Sequence, residues 1–319
     1  DGIRDVERSR GLGDVYKRQI VLVALDVLGI GLAEIADLET DISNAVIIDT
    51  EKIWILSSHS HSAPILCPID LYDGFSPYFA GLKDRIICLI TNLMSQLQPV
   101  TIHFGQSNCD FNVNRRLVDT SGNCRMAPNI DGVVDKSVPV ISCRDVNNSL
   151  VGILFSYCCH PTILLGPKIS GDYPGWAQNS LEKKHEPVVA LFLPGVFGNV
   201  RPYFGSGDRF RPGTESDVIS CGYELANAVE EGLKDSYHVP TEVIQVWRIK
   251  PQLPLDKPLS MEELGKIASQ SIASQSENDS TNSWKNGFNI ACLLYTSPIP
   301  RDLYKSSMKY SDLKKKVGG

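Results

Sequence analysis

No apolar run in this sequence approaches the eighteen or so residues that a membrane-spanning helix needs; Ile20 to Ile30 is too short and contains Asp26. Among its 9 cysteines no two stand in a Cys-x-x-Cys pair, so neither a zinc ribbon nor a disulfide scaffold is indicated. Most of the cysteines are expected to be free, small and buried. Positive charge is also short, with 31 Lys+Arg against 37 Asp+Glu, which argues against a nucleic-acid-binding surface. There is no internal repeat, and a hydrophobic content of 42% is ordinary for a globular chain long enough to bury one large core.

The two ends do not read as protein. On back-translation, Asp14 to Gln19 and Cys292 to Ser297 become reverse complements of one another and match an adapter used to prepare sequencing libraries. Residues 1–19 and 292–319 are therefore expected to be translated adapter, which leaves a natural chain over 20–291 that is open at both ends. The tails hold 11 of the 31 basic and 6 of the 37 acidic residues, so the core keeps 20 and 31, a formal charge of −11. The basic run Lys314-Lys315-Lys316 falls in a tail and carries no functional weight.

Between these ends the pattern predicts an α/β fold, a mixed β-sheet core flanked by helices with the site at the C-terminal ends of strands. Ile20 to Leu25 reads as a buried strand ending in Asp26. The following Gly29-Ile30-Gly31 has no third glycine, since Glu34 stands there, and is discounted as a nucleotide loop. Residues 32–44 look helical, and Ile53 to Leu56 is a strand. Ser76 and Pro77 can open a long helix whose stripe of Tyr78, Leu82, Ile86, Leu89, Ile90, Leu93 and Leu97 is expected to be core. Val100 to Phe104 reads as a strand, 117–136 as a long loop, and Val138 to Ser142 with Leu150 to Cys158 as a hairpin. A helix over 174–184 and a strand over Val188 to Leu193 follow. Thr214 and Asp217 form a capping box for a helix to about Leu233, and Thr241 to Arg248 reads as a last strand. The Ser- and Asn-rich stretch 270–286 is expected to be a surface excursion.

Chemistry gathers at three strand ends. Ser57-Ser58-His59-Ser60-His61-Ser62-Ala63-Pro64 follows the strand Ile53 to Leu56. On an extended chain His59 and His61 would present both imidazoles to one face, and small neighbours would leave room for an ion, a water and a substrate. His160 ends the strand after Leu150, and a glycine loop, Gly195 to Pro202, ends the strand after Val188. Catalytic zinc takes three protein ligands and an open position, so a site on His59 and His160 still needs another. Asp26 and Asp172 are nearby candidates, each with a plainer role as a strand-end or helix-cap carboxylate.

Taken together and in order, these pieces resemble the neutral ceramidase family of metal-dependent amidases and its shorter bacterial relatives. The resemblance runs from the strand ending in Asp26 through Ser58-His59-Ser60-His61-Ser62-Ala63-Pro64, Asn114-Arg115 and Cys159-His160-Pro161-Thr162. It continues over the Ile169 to Gly175 turn and the loop Gly195 to Pro202. It implies one Zn2+ held by His59 and His160, with His61 beside the metal to bind and protonate the reacting amide and Arg115 lining the site. Backbone amides of Gly198 and Asn199 would act as anion donors, and Asp26 and Asp172 would stand behind the ligands. The implied substrate is a small-molecule or lipid-like acyl amide; the compartment stays open, the resemblance allowing an extracytoplasmic location whose signal peptide would lie upstream.

Two departures qualify the resemblance. Where the family's loop reads Gly-Asp-Val-Ser-Pro, this chain has Gly198-Asn199-Val200-Arg201-Pro202. Arg201 cannot be a nucleophile and, as a fixed cation suited to carboxylate or phosphate, points to a more polar or anionic substrate than ceramide. The family also completes its zinc site with a glutamate and a tyrosine for which no match is found before Ala291, so the ligand set is expected to be incomplete and the fragment inactive. Two other readings stay open: a ligand-binding protein on a degenerate hydrolase scaffold, and a different His-x-His metallohydrolase. A metallo-β-lactamase fits poorly, because Ala63-Pro64 stand where Asp-His is wanted, and the spacing of helices does not supply an amidohydrolase barrel. The glycosylation sequons at Asn147 and Asn278 are too short to decide export.

Overall fold

The computed structural model describes residues 19–66, 75–122, 124–165, 168–205, 207–240, 246–249, 252, 260 and 262. The chain divides into two units, Asp1–Arg248 and Ile249–Gly319, and every element below belongs to the first. The sequence-based expectations for 1–18, 270–286 and 292–319, and for the sequon at Asn278, lie outside the described residues.

The strand β1 (Val21–Leu25) pairs in parallel with β3 (Ile53–Ser57), and helices α1 (Leu32–Val46) and α2 (Phe75–Met94) pack beside them. Val23, Ile53 and Ile55 from the strands meet Leu38, Ile42, Ile86 and Ile90 from the helices in one apolar cluster. The stripe expected on α2 is only partly core. Leu82, Ile86 and Ile90 face inward at i, i+4 spacing, whereas Leu89 and Leu93 are exposed, because a seam repeating every four residues leaves the i+3 positions turned toward solvent; Leu97, also exposed, lies beyond the helix end at Met94. Two short strands, β2 (Gly29–Ile30) and β4 (Ile65–Leu66), form a parallel pair after β1 and β3.

The main sheet has five strands in the order β10-β9-β8-β5-β12: β10 (Val189–Pro194), β9 (Leu150–Tyr157), β8 (Ser137–Arg144), β5 (Thr101–Asn108) and β12 (Tyr237–Val239). Only β10 and β9 run parallel, so the sheet is mixed, as the pattern predicts. Helices α3 (Asp172–Lys184) and α4 (Glu215–Lys234) cover it with a second core built on Phe155, Tyr157, Tyr173, Phe192 and Leu225. Gly105 of β5 and Gly232 of α4 let the two backbones touch, since a Cβ on Gly105 would stand 1.8 Å from the Gly232 carbonyl oxygen. The capping box at Thr214 and Asp217 is formed, and Arg211 grips the Asp217 carboxylate from outside at 2.7 and 2.8 Å.

Two sequence-based expectations change, and a third falls largely outside the described residues. Within the long loop expected over 117–136, β7 (Cys124–Asn129) forms a hairpin with β6 (Asn112–Val118), which is joined on its other side by β11 (Val200–Pro202). Its polar residues have little strand propensity, but side chains supply the missing order: Asn129 Nδ2 donates to the Arg116 carbonyl, and Pro128 is tolerated because β7 is an edge. The strand expected to stop at Phe104 runs on to Asn108, where Gly105 to Asn108 pair with Ser137 to Val140. The strand expected over Thr241 to Arg248 falls largely outside the described residues, and β12 precedes it. Seven cysteines are free among the described residues, and Cys109, Cys158, Cys159 and Cys221 are buried.

Candidate functional site

The C-terminal ends of β1, β3, β9 and β10 come together, and the residues just beyond them form the site. The His-x-His pair is not on a strand. Pairing of β3 stops at Ser57, and His59 has φ 63°, the left-handed region that breaks strand alternation. Backbone bonds from Ser58 N–H to the Leu25 carbonyl and from His59 N–H to the Val27 carbonyl tie this turn to the end of β1. The two imidazoles converge through that turn and not through a pleat, with ring centres 5.2 Å apart.

His160 arrives from the end of β9, its ring 4.8 Å from His59 and 5.1 Å from His61, and its Nε2 lies 3.2 Å from His61 Nε2. Ligand nitrogens of the three histidines all lie within 4.8 Å of one another, as a shared metal ion requires. His160 Nδ1 faces the Phe197 carbonyl at 3.4 Å, which leaves Nε2 toward the cluster. The Phe197 ring packs 5.3 Å from His59 and 4.8 Å from His160.

All three imidazoles are held neutral. Burial lowers His160 to about 3, helped by the Arg115 charge and the other two histidines. His61 keeps an exposed edge, yet partial burial together with His59, Arg115 and Arg201 lowers it to about 4. Burial also lowers His59, with the Arg115 charge adding to it and a bond with the Leu28 backbone opposing. Neutral imidazole is the form that binds metal.

The loop after β10 supplies the other expected groups. Arg115 of β6 reaches across to it: its N–H donates to the Asn199 carbonyl at 2.7 Å and its Nε to the Gly198 carbonyl at 3.1 Å. Among the described residues no acceptor takes the Gly198 and Asn199 amide protons. Arg201 lies on β11 opposite Val113, stacked 4.5 Å above the Phe210 ring.

The two acids stand apart from the ring nitrogens. Asp172 is fully buried, and its carboxylate accepts from the backbone N–H groups of Ile163, Leu164 and Tyr173 at 3.0, 3.0 and 2.7 Å. It thus braces the turn that follows His160, while burial pushes its pKa up to about 6. Asp26 lies against Gly171, where a Cβ would stand 3.3 Å from its Oδ2. Partial burial of its carboxyl raises its pKa although the residue keeps an exposed face, and Ser58 pulls it back without closing to a hydrogen bond.

Two sets of residues were not legible as parts of the site. Ser60 and Ser62, expected only to leave space, are buried and bonded: Ser60 Oγ donates to the Ser170 carbonyl at 2.6 Å and Ser62 Oγ to the Leu164 carbonyl at 2.9 Å. With His61 N–H bonded to the Pro161 carbonyl, they sew the His59–His61 turn to the His160–Ser170 turn. The Ser-His-Ser-His-Ser alternation carries that signal. Phe197 was hidden because an aromatic in a glycine loop has no periodic partner.

The structure thus defines a mixed α/β protein with a three-histidine cluster at strand ends. Its fold is that of neutral ceramidase structures. The chain is similar to neutral ceramidase from Pseudomonas aeruginosa, at 21% identity and a TM-score of 0.55 over 67% of this chain and 36% of that one. It is likewise similar to a ceramidase complexed with C2, at 21% identity and a TM-score of 0.56 over 68% of this chain. The chain spans 36% of the length of each. No protein-family model matches the chain, nor does any curated protein.

Proposed function

We propose that the protein is a zinc-dependent hydrolase of amide or related acyl bonds, acting on small-molecule or lipid-like N-acyl substrates in the manner of a ceramidase. The observation that carries this reading is the convergence of three neutral imidazoles from two strand ends, on a fold shared with ceramidase structures. The residues fit a zinc ion: the nitrogens are close, the rings are unprotonated at neutral pH, and the Phe197 carbonyl orients His160. His59 and His160 would hold it. When bound, zinc supplies Lewis-acid polarisation of an acyl carbonyl and makes a water more acidic.

The remaining work falls to the chain's own groups. His61, neutral at pH 7 and open to solvent at one edge, takes a proton from the attacking water and passes it to the leaving nitrogen. The free amides of Gly198 and Asn199 donate to the carbonyl oxygen as negative charge grows on it. Arg115 holds this loop in place through its bonds to both carbonyls. Asp172 fixes the turn that carries His160, and Asp26 stands against that turn's far end at Gly171.

The test is hydrolysis of a panel of N-acyl amides by zinc-loaded protein, with metal analysis of each variant. Turnover that disappears with chelator, returns with zinc, and is lost with the metal in His59→Ala supports the hydrolase. Equal ligand binding by metal-free and zinc-loaded protein, with no turnover of any amide, would instead make it a binding protein on a hydrolase scaffold.

A further inference from the structure

Beside the histidines lie two guanidinium groups that meet no anion among the described residues. Arg115 uses its Nε on the Gly198 carbonyl, and no carboxylate among the described residues reaches its terminal nitrogens. Arg201 is half-buried. Among the described residues its Nε, sealed from solvent, has no acceptor, and its Nη1 meets only the Met126 sulfur, a weak acceptor, at 3.9 Å. Two other arginines of this acidic chain are paired with carboxylates, Arg211 with Asp217 and Arg248 with Glu39.

Leaving two partly desolvated cations side by side is costly, and proteins pair or ligate such groups. Burial disfavours the charged form of both, and Arg115 is further disfavoured by the charges of Arg116 and then Arg201. Both stand at the edge of the histidine cluster: Arg115 holds the Gly198 carbonyl next to Phe197, whose own carbonyl faces His160 Nδ1, and Arg201 follows Val200, whose carbonyl accepts from the His160 N–H at 3.3 Å. On the other side, the Phe210 ring beneath Arg201 forms one wall of a cavity of about 320 Å³ shared with Pro202, Tyr203, Phe204 and Arg209. A bound anion at Arg201 would therefore sit between the reacting groups and a partly aromatic recess.

We infer that Arg115 and Arg201 form a subsite for an anionic oxygen group, carboxylate or phosphate, carried by the substrate close to its acyl bond. The inference rests on the acyl-hydrolase reading for the position of that bond and narrows its substrate class to N-acyl compounds bearing an acid group, such as N-acyl amino acids. Guanidinium groups bind such oxygens through short, charge-assisted bonds that a neutral ester cannot match.

Calorimetry on zinc-free protein, where no probe is turned over, tests this with N-octanoylglycine, its methyl ester and the phosphate monoester of N-octanoylethanolamine. At least one anion should bind about tenfold or more tightly than the ester, and the tighter of the two identifies the acid group. That ratio should shrink in raised salt and fall toward one in Arg201→Gln, with circular dichroism confirming the fold. Ester binding as tight as both anions, or no binding of any probe, would overturn the subsite. Turnover by zinc-loaded protein separates the two claims. Hydrolysis without preference for the acids keeps the hydrolase and removes the subsite, whereas tight anion binding without hydrolysis keeps the subsite and removes the hydrolase.

Discussion

His61 Nε2 and His160 Nε2 lie 3.2 Å apart although they stand 99 positions apart in the chain, brought together by the paired turns after β3 and β9. At that distance two neutral rings can share a single proton. Zinc on His160 would break that sharing and leave His61 free to exchange protons with substrate.

The two histidines should therefore respond differently to truncation. His160→Ala is expected to lower zinc affinity by about 100-fold or more, beyond the loss seen when only a ligand's supporting bond is removed. His61→Ala should keep most of the metal while losing turnover. Metal titration with a competing chelator, run beside an amide-hydrolysis assay, checks both outcomes.

The buried hydroxyl of Ser60 holds the two turns together through the Ser170 carbonyl. Ser60→Ala should cost about 1–1.5 kcal/mol in urea unfolding, the net worth of a buried hydrogen bond. It should also weaken zinc binding without removing a ligand, because the His59–His61 turn loses its tether to the segment that bears His160.

Asp172 accepts three backbone bonds with no water to replace them. Asp172→Asn places an amide NH2 against N–H donors and should destabilise the protein by about 2–3 kcal/mol. Denaturant melts of the two proteins at one pH give the number.

At Gly105 the close approach of Gly232 leaves no space for a methyl group. Gly105→Ala should drive α4 off β5 and cost about 3 kcal/mol or more, at the upper end of overpacking penalties. Insoluble expression or a lowered thermal midpoint would show it; an unchanged midpoint would mean that the helix can slide.

The Thr214–Asp217 cap supplies a pH dependence. Bonds from Arg211, with Thr214 adding, hold the Asp217 carboxyl well below the usual carboxylate range. A group whose folded pKa is depressed contributes stability that is present above its unfolded value, near 4, and is lost as pH falls through the folded value. Asp217→Asn should thus cost about 1 kcal/mol at pH 7, as a lost cap does, and the gap to the parent should narrow below about pH 4. Thermal melts across pH 2–7 read this directly.

Much of the fold was legible because its elements advertise themselves locally. Apolar runs mark β1, β3, β9 and β10, and Thr214 with Asp217 marks the start of α4. The hairpin β6–β7 was not, since Asn, Arg and Pro residues become strand only when side chains and a neighbouring strand complete their bonding. The exposed Leu89 and Leu93 were misplaced for a related reason: periodicity shows that a helix is amphipathic but not how wide a face its neighbours cover.

By itself the sequence determined which residues could do chemistry and that each follows a strand: His59 and His61 after Ile53 to Leu56, His160 after Leu150 to Cys158, and Arg201 in the loop after Leu193. Residue type and local pattern suffice for that. Tertiary structure alone decided that three imidazoles share one point, that His59 turns through a left-handed conformation to get there, and that Arg115 and Arg201 meet no carboxylate among the described residues. The reason is physical: distances between strand ends, and the burial that neutralises the histidines, are set by packing among distant segments, 110 residues apart in the Ser60–Ser170 bond, and no local stretch of chain contains them.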